Sequence, residues 1–290
     1  MTEFARRVIS GGAAVAVLAG AVLAAQVATT QKPFEPKVGQ AGKDVVWVPT
    51  PQPTVDAMLD MAKLTKSDFL VDLGSGDGIT VITAAKRGAR AMGVEFNPDM
   101  VALARQRAEE AGMSASATFV QGDFFKTDFS KANVLTMFLL PSLNEQLRPT
   151  ILNMKPGTRV VTNTFRMGSG EDEWLPEAEK RVDPCETSWC TAILYVVPAK
   201  VAPDDRPLDE VRFQGPPEPS VWSMNGQVLK LYQKFQFVTG LLGNAAITEG
   251  KLLGYDITFT VGGQHYTGRV SEDGKMIKGT SPAGAWTASR

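Results

Sequence analysis

Val71-Asp72-Leu73-Gly74-Ser75-Gly76-Asp77-Gly78 sets two carboxylates into a glycine turn, with an apolar run before it and a helical pattern after it. Glycine allows backbone angles and a closeness of approach to a ligand that a side chain would block. A dinucleotide loop spaces its glycines G-x-G-x-x-G and seats phosphates on a helix N-terminus. Here the spacing is G-x-G-x-G, and Asp72 and Asp77 would repel a pyrophosphate. The loop suits a ligand with positive charge instead. S-adenosylmethionine carries a sulfonium and an ammonium, and Asp72, Gly74, Ser75, Gly76 and Asp77 are the residues expected to meet it.

Two further acids fit the same ligand. Glu95 lies about 20 residues on, at the end of the next strand pattern, where a carboxylate can accept both ribose hydroxyls. Asp123, in Gln121-Gly122-Asp123-Phe124, would accept from the adenine amino group, with Phe124 beside the ring. Any one of these acids could equally be a helix cap. Three at successive strand ends, in the order one fold requires, are not explained that way. Met137-Phe138-Leu139-Leu140-Pro141 stands where an Asn/Asp-Pro-Pro-aromatic motif would serve methylation of base amino groups, so nucleic acid is not the expected acceptor. No cysteine lies near the loop, and His265 is the only histidine. A cysteine nucleophile, a histidine triad and a histidine-rich metal site are therefore disfavoured. No metal is expected and no catalytic side chain is named, because methyl transfer mainly needs an aligned nucleophile and exclusion of water.

The elements that would position these residues follow from periodicity. Pro51 to Leu64 puts Val55, Met58, Leu59 and Ala62 on one helical face. Strands are expected at Phe69–Leu73, Ala91–Glu95, Ala117–Gln121, Val134–Leu140 and Arg159–Phe165. Helices are expected at Gly78–Arg87, Pro98–Ala111 and near Leu143–Met154. Such alternation means an α/β fold, a doubly wound, Rossmann-like parallel sheet with crossover helices. Met167 to Pro176 reads as a Gly- and acid-rich loop, and Cys190–Val197 as a strand able to close the sheet as a terminal hairpin.

Beyond it Pro203, Pro207, Pro216, Pro217 and Pro219 follow Pro198, marking a linker. The last seventy or so residues alternate in short runs broken by Gly262-Gly263, Asp273-Gly274 and Gly284. That is a small all-β domain, a meander forming a sandwich or barrel, with Trp222 and Trp286 as core aromatics. At the other end Arg6 and Arg7 precede an uncharged run from Val8 to Val27. It reads as a cleaved export signal, an uncleaved membrane anchor or a merely buried helix. Either of the first two places the rest in the periplasm, free or tethered at the membrane. The expected division is residues 1–28 signal or anchor, 29–42 linker, 43–199 cofactor-binding domain, 200–218 Pro-rich linker and 219–290 all-β domain. Net charge is -1 from 30 basic and 31 acidic residues, with no basic cluster for nucleic acid.

Trp47-Val48-Pro49-Thr50-Pro51, the Asp72–Gly78 loop, Leu139-Leu140-Pro141-Ser142-Leu143-Asn144, Leu147-Arg148-Pro149 and Lys155-Pro156-Gly157-Thr158-Arg159-Val160-Val161 together resemble one family. It comprises bacterial methyltransferases similar to the mitochondrial protein-lysine methyltransferases that modify the adenine nucleotide translocase and the c-ring protein of ATP synthase. The resemblance covers about Val46 to Pro198. It implies a seven-stranded methyltransferase sheet, S-adenosylmethionine as donor, a protein lysine among the candidate acceptors, and Thr50 beside the methionine end of the cofactor; the acceptor stays open between a protein and a small molecule. Family members often carry Ser-His-Asp-Phe and Met-Gly-Asp-Trp after the fifth strand. Here Thr162-Asn163-Thr164-Phe165 stands instead, and an insertion with Glu171, Asp172 and Glu173 separates Met167-Gly168 from Trp174. The leading expectation is a methyltransferase. The alternative is an exported, non-catalytic binding protein that keeps the fold and works through its β-domain. A nicotinamide oxidoreductase is disfavoured by the loop spacing. In an oxidising compartment Cys185 and Cys190 are expected to pair across the turn between them.

Overall fold

The computed structural model describes residues 34–170, 173–185, 187–201 and 219–290. The expected export segment, residues 29–33 of the expected first linker, and residues 202–218 of the expected Pro-rich linker lie outside that set. Among the described residues no helix is long and apolar enough to cross a membrane.

Residues 69–196 form the sheet, with α1 (Gln52–Met61) ahead of it. The order is β1 (Phe69–Leu73), α2 (Ile79–Lys86), β2 (Arg90–Glu95), α3 (Pro98–Glu110), β3 (Ala117–Gln121), β4 (Val134–Met137), α4 (Pro141–Leu152), β5 (Arg159–Asn163), β6 (Ala178–Arg181) and β7 (Thr191–Val196). The spatial order is β3-β2-β1-β4-β5-β7-β6. β1 to β5 are parallel, while β7 runs antiparallel to both β5 and β6. The expected terminal hairpin is present, and its first strand, β6, is new. All four of its residues are exposed, so no alternation marked it in the sequence. β4 and β5 stop short of the expected Leu140 and Phe165 because the chain there turns out of the sheet.

Leu70, Val71 and Leu73 of β1 are fully buried, as a strand covered on both faces requires. One face packs on α1, α2 and α3 through Val55, Leu59, Val81, Val101 and Ala104. The other packs on α4 through Leu143, Leu147 and Ile151. The same second cluster takes in Phe235, which belongs to the C-terminal unit.

That unit is a closed antiparallel barrel. Its strands are β8 (Ser220–Met224), β9 (Gln227–Lys234), β10 (Phe237–Leu242), β11 (Ala245–Leu253), β12 (Asp256–Val261), β13 (Gln264–Val270), β14 (Met276–Ser281) and β15 (Gly284–Ser289), and β8 pairs with β15 to close it. Closure leaves no free strand edge. Side chains fill the interior, Trp222, Phe259, Ile257, Leu231 and Trp286 among them. The core also takes in Ala199 and Val201, from before the proline-rich stretch. Gln233 holds them in place, donating to the Ala199 carbonyl at 2.9 Å and accepting from the Val201 N–H at 2.8 Å.

The barrel docks on the sheet unit through specific contacts. Phe235, at the tip of the β9–β10 hairpin, has φ 51° and is 4% exposed. Its ring lies 5.3 Å from the Arg148 guanidinium of α4. Gln236 donates to the Leu175 carbonyl at 2.7 Å, and Lys251 pairs with Glu177 at 2.5 Å. α4 is the one helix on its face among the described residues, and the hairpin tip helps cover what it leaves open. Phe235→Ala should therefore destabilise the protein by about 3–5 kcal/mol, the usual cost of emptying a buried aromatic site. Chemical denaturation followed by far-ultraviolet circular dichroism checks this; a loss below about 1 kcal/mol would show that the ring is not part of the shared core.

Candidate active site

Asp72 sits on β1 with Thr136 of β4 directly opposite it. The Thr136 hydroxyl donates to Asp72 Oδ1 at 2.7 Å, inside the sheet. Burial pushes the Asp72 carboxyl up to about 7; the Thr136 bond opposes that rise, and the charges of Asp77 and Glu95 add to it. Gly74 and Ser75 then hook their N–H groups onto the Val94 carbonyl of β2, at 2.9 and 3.1 Å. Gly74, Gly76 and Gly78 all take positive φ, 76°, 52° and 83°. At Gly78 a Cβ would lie 2.7 Å from the Phe119 ring and 2.9 Å from Ala104, so only glycine lets α2 and α3 approach the sheet here.

Glu95 closes the turn. One carboxylate oxygen accepts from Gly76 N–H and the other from Asn97 N–H, each at 2.9 Å. A carboxylate has about four acceptor positions, so two remain for ligand hydroxyls. Asp77 is used differently. It pairs with Arg107 of α3 and faces the N–H of Ile79 at the start of α2, so it braces the loop from below.

Thr50, Asp72, Gly74, Ser75, Gly76, Asp77, Glu95, Asp123 and Phe124 all line one cavity of about 500 Å³. Ser75 Oγ is buried without a partner. Asp123 accepts from Lys43 Nζ at 3.1 Å and from Phe125 N–H at 3.0 Å, and the Lys43 bond holds its carboxyl below the usual range. Phe124 packs against Phe125 with ring centres 4.7 Å apart.

Other lining residues are not assigned to the cofactor by the sequence, although Trp47, Val48 and Leu140 belong to the motifs that carry the resemblance. Residues 40–48 run along the cavity as a strap. It is tied to itself by Gly39 N–H to Trp47 O and Trp47 N–H to Gln40 O, at 2.8 and 2.9 Å. The Trp47 indole lies against Gly76, where a Cβ would meet its Nε1 at 2.7 Å. Phe138, Leu140, Phe165 and Trp189 line the far side. Phe165 is fixed from several directions. Its carbonyl accepts from Asn144 Nδ2 at 3.1 Å and from the Thr162 hydroxyl at 2.7 Å, after a turn at Thr164 with φ 64°. A threonine there is strained and persists only because its surroundings hold it. Trp189 lies within the loop closed by the Cys185–Cys190 disulfide, one residue before Cys190, and its N–H donates to Thr187 Oγ1 at 3.2 Å.

Residues 72–176 match the family model described as the ANTKMT methyltransferase domain. A protein-lysine N-methyltransferase of Saccharolobus islandicus is 40% identical over 156 residues, covering 53% of this chain and 94% of the relative. The chain belongs to this methyltransferase family. The adenine nucleotide translocase lysine N-methyltransferase of Mus musculus is 40% identical over 111 residues, 38% of this methyltransferase and 47% of the mouse protein. A solved Salinibacter ruber RNA methyltransferase in complex with S-adenosyl-L-homocysteine is 42% identical, with a TM-score of 0.49, over 54% of this chain and 98% of that one. The family model stops at residue 176, ahead of the barrel.

The buried acid of the methyltransferase makes its stability depend on pH. From about pH 4 toward 7 the unfolded chain releases the Asp72 proton while the folded one keeps it, so stability falls as pH rises through that window. Asp72→Asn removes this loss and keeps an acceptor for Thr136. At pH 8 the ligand-free variant should be more stable by about 1–4 kcal/mol. Thermal melts at pH 5 and pH 8 test it: an equal difference between variant and parent at both would refute the buried charge.

Proposed function

We propose that the protein transfers the methyl group of S-adenosylmethionine to the side-chain amine of a protein lysine, outside the cytoplasm. The observation that carries the donor assignment is the gathering of Asp72, Glu95 and the unpartnered Ser75 hydroxyl around a positive-φ glycine turn. A ligand with a sulfonium and an ammonium fits this set, because it would relieve the cost of the buried Asp72 charge. S-adenosylmethionine, when bound, supplies an electrophilic methyl open to direct displacement.

The chain's own residues then have distinct tasks. Asp72 holds cationic charge near the turn, and it binds best when ionised, so affinity for the donor should increase as pH rises through about 7. Glu95 orients the ribose through its free acceptor positions. Trp47 and the strap around it shield the turn from water. Asp123 accepts from Lys43 and from Phe125 N–H on different oxygens, and each oxygen keeps an acceptor position that an adenine amino group can use. Holding donor and acceptor in line and excluding water is the larger part of what this reaction asks.

The lysine acceptor rests on family membership and on relatives whose names specify lysine N-methylation. Location outside the cytoplasm rests on the Arg6-Arg7 start with its apolar run, and on a cysteine pair suited to oxidising conditions.

Calorimetry with S-adenosylmethionine and with NAD tests the donor, and mass spectrometry of lysine-bearing proteins and of RNA tests the acceptor. Donor binding without any turnover would favour the exported binding protein instead. Glu95→Ala should weaken donor binding by about 1–3 kcal/mol, since two hydroxyls lose their acceptor. An unchanged dissociation constant for that variant would remove Glu95 from the site.

A further inference from the structure

The cavity has two chemically different halves. Asp72, Glu95 and Asp123 come from the ends of β1, β2 and β3, on one side of the sheet's midline. From the ends of β4 and β5, and from the approach to β7, come Phe138, Phe165 and Trp189. Phe138 and Phe165 stack at 6.0 Å and 20°, and Phe138 and Trp189 meet at 6.4 Å and 53°. Trp189 is 38% exposed and Leu140 44%, so this wall faces the mouth. Charged side chains lining the cavity come from the strap and the β1–β3 side, and none from the β4–β7 side.

We propose that Phe138, Phe165 and Trp189 form the acceptor port, a ring-faced wall that takes an alkylammonium side chain in any methylation state, with Trp189 positioned by the Cys185–Cys190 loop. This rests on the methyltransferase reading above. An acceptor ammonium must first give a proton to water to become an amine that can attack, and an apolar wall favours that neutral form. The amine lone pair then forms the N–C bond as the C–S bond breaks, and sulfur keeps that bond's electron pair. Nitrogen gains the positive charge that sulfur loses, and the new ammonium releases any remaining proton to water. Ring faces attract that charge without asking for N–H donors. An amine that has already gained one or two methyl groups therefore still fits the wall. A port built from carboxylates or carbonyls would instead hold the N–H groups and lose grip as methyl groups replace them.

The disulfide joins Cys185 to Cys190 with 5.9 Å between α-carbons, and Cys190 is buried beside β7. Trp189 is thereby held one residue from a fixed point.

The test uses the full chain and a probe other than turnover. Calorimetry with N-acetyl-trimethyllysine amide should show binding to the protein in the presence of S-adenosylhomocysteine. The neutral tert-butyl isostere of the probe should bind more weakly. Trp189→Ala should weaken probe binding roughly three- to thirtyfold, the fold-change of one cation–π contact, while donor affinity stays within twofold. Trp189→Phe should restore most of it. Cys185→Ser with Cys190→Ser should lower probe affinity in the same direction. Turnover by these proteins should show dimethyl and trimethyl products depleted more than monomethyl in Trp189→Ala. Equal binding of the cation and its neutral isostere, or an unchanged probe affinity in Trp189→Ala, overturns the port. Failure of the parent protein to bind the donor overturns the underlying methyltransferase reading instead.

Discussion

A carboxylate kept inside a sheet is costly, and the hydrogen bond from Thr136 to Asp72 is the contact that makes it tolerable. It joins β1 to β4 at the place where the strand order reverses, since β2 and β3 lie to one side of β1 and β4 and β5 to the other. Loops leaving neighbouring strands part in opposite directions at such a point and open a crevice beyond the strand ends. The same pair of strands thus makes the cavity and sets a charge at its floor. Nearly everything else around the site keeps that arrangement in register. Gly74 and Ser75 tie the turn to β2, Glu95 ties β2 back to the turn, and Asp77 with Arg107 braces it against α3.

On the other side of the crevice, order is imposed from α4. Asn144 and Arg148 are buried polar residues on one face of that helix, four positions apart, as neighbours on a helix surface are. Asn144 donates to the Phe165 and Arg166 carbonyls and Arg148 to the Met167 carbonyl. Met167 N–H in turn donates to the Tyr195 hydroxyl at 3.2 Å, inside the core, where burial holds the phenol above its ordinary range. These bonds satisfy backbone groups of a loop that turns inward, which an unpaired loop could not do. Arg148 also faces Phe235, so the barrel touches the same helix that fixes the aromatic half of the cavity. The barrel and the aromatic half of the cavity share a support.

Much of this was legible in the sequence, and the part that was not has a common cause. The strand–helix alternation, the glycine turn, the acids at strand ends and the change to short β-runs are local patterns. Each depends on residues adjacent in the chain, and each is found in the structure where the sequence pointed. Phe138, Phe165 and Trp189 are brought together from three separate segments; Phe165 is marked only by the stretch in which this chain departs from the family pattern, and nothing in the local pattern marks Trp189. Phe138 stands out in the sequence only as part of a stretch lacking a base-methylation motif. β6 has four exposed residues and exists because β7 offers it an edge to pair with. Phe235 reads as one more hydrophobic residue in an alternating strand, and its placement in the neighbouring unit's core follows only from docking.

The strained turn at Thr164 connects these levels. Glycine would adopt φ 64° without cost, and threonine, branched at Cβ, is among the least suited residues. Its hydroxyl finds a partner in Asn163 Oδ1 at 3.0 Å, while its N–H bonds to the Thr191 carbonyl at 2.7 Å at the start of β7. A glycine would relax the backbone and forfeit the side-chain bond. Threonine holds the turn in one conformation at the cost of strain, and the packing of α4, β7 and the disulfide loop supplies the rigidity that sustains it. A position that breaks a local rule beside a cavity is where function can outweigh local stability. In this chain that position directly precedes Phe165, which lines the cavity.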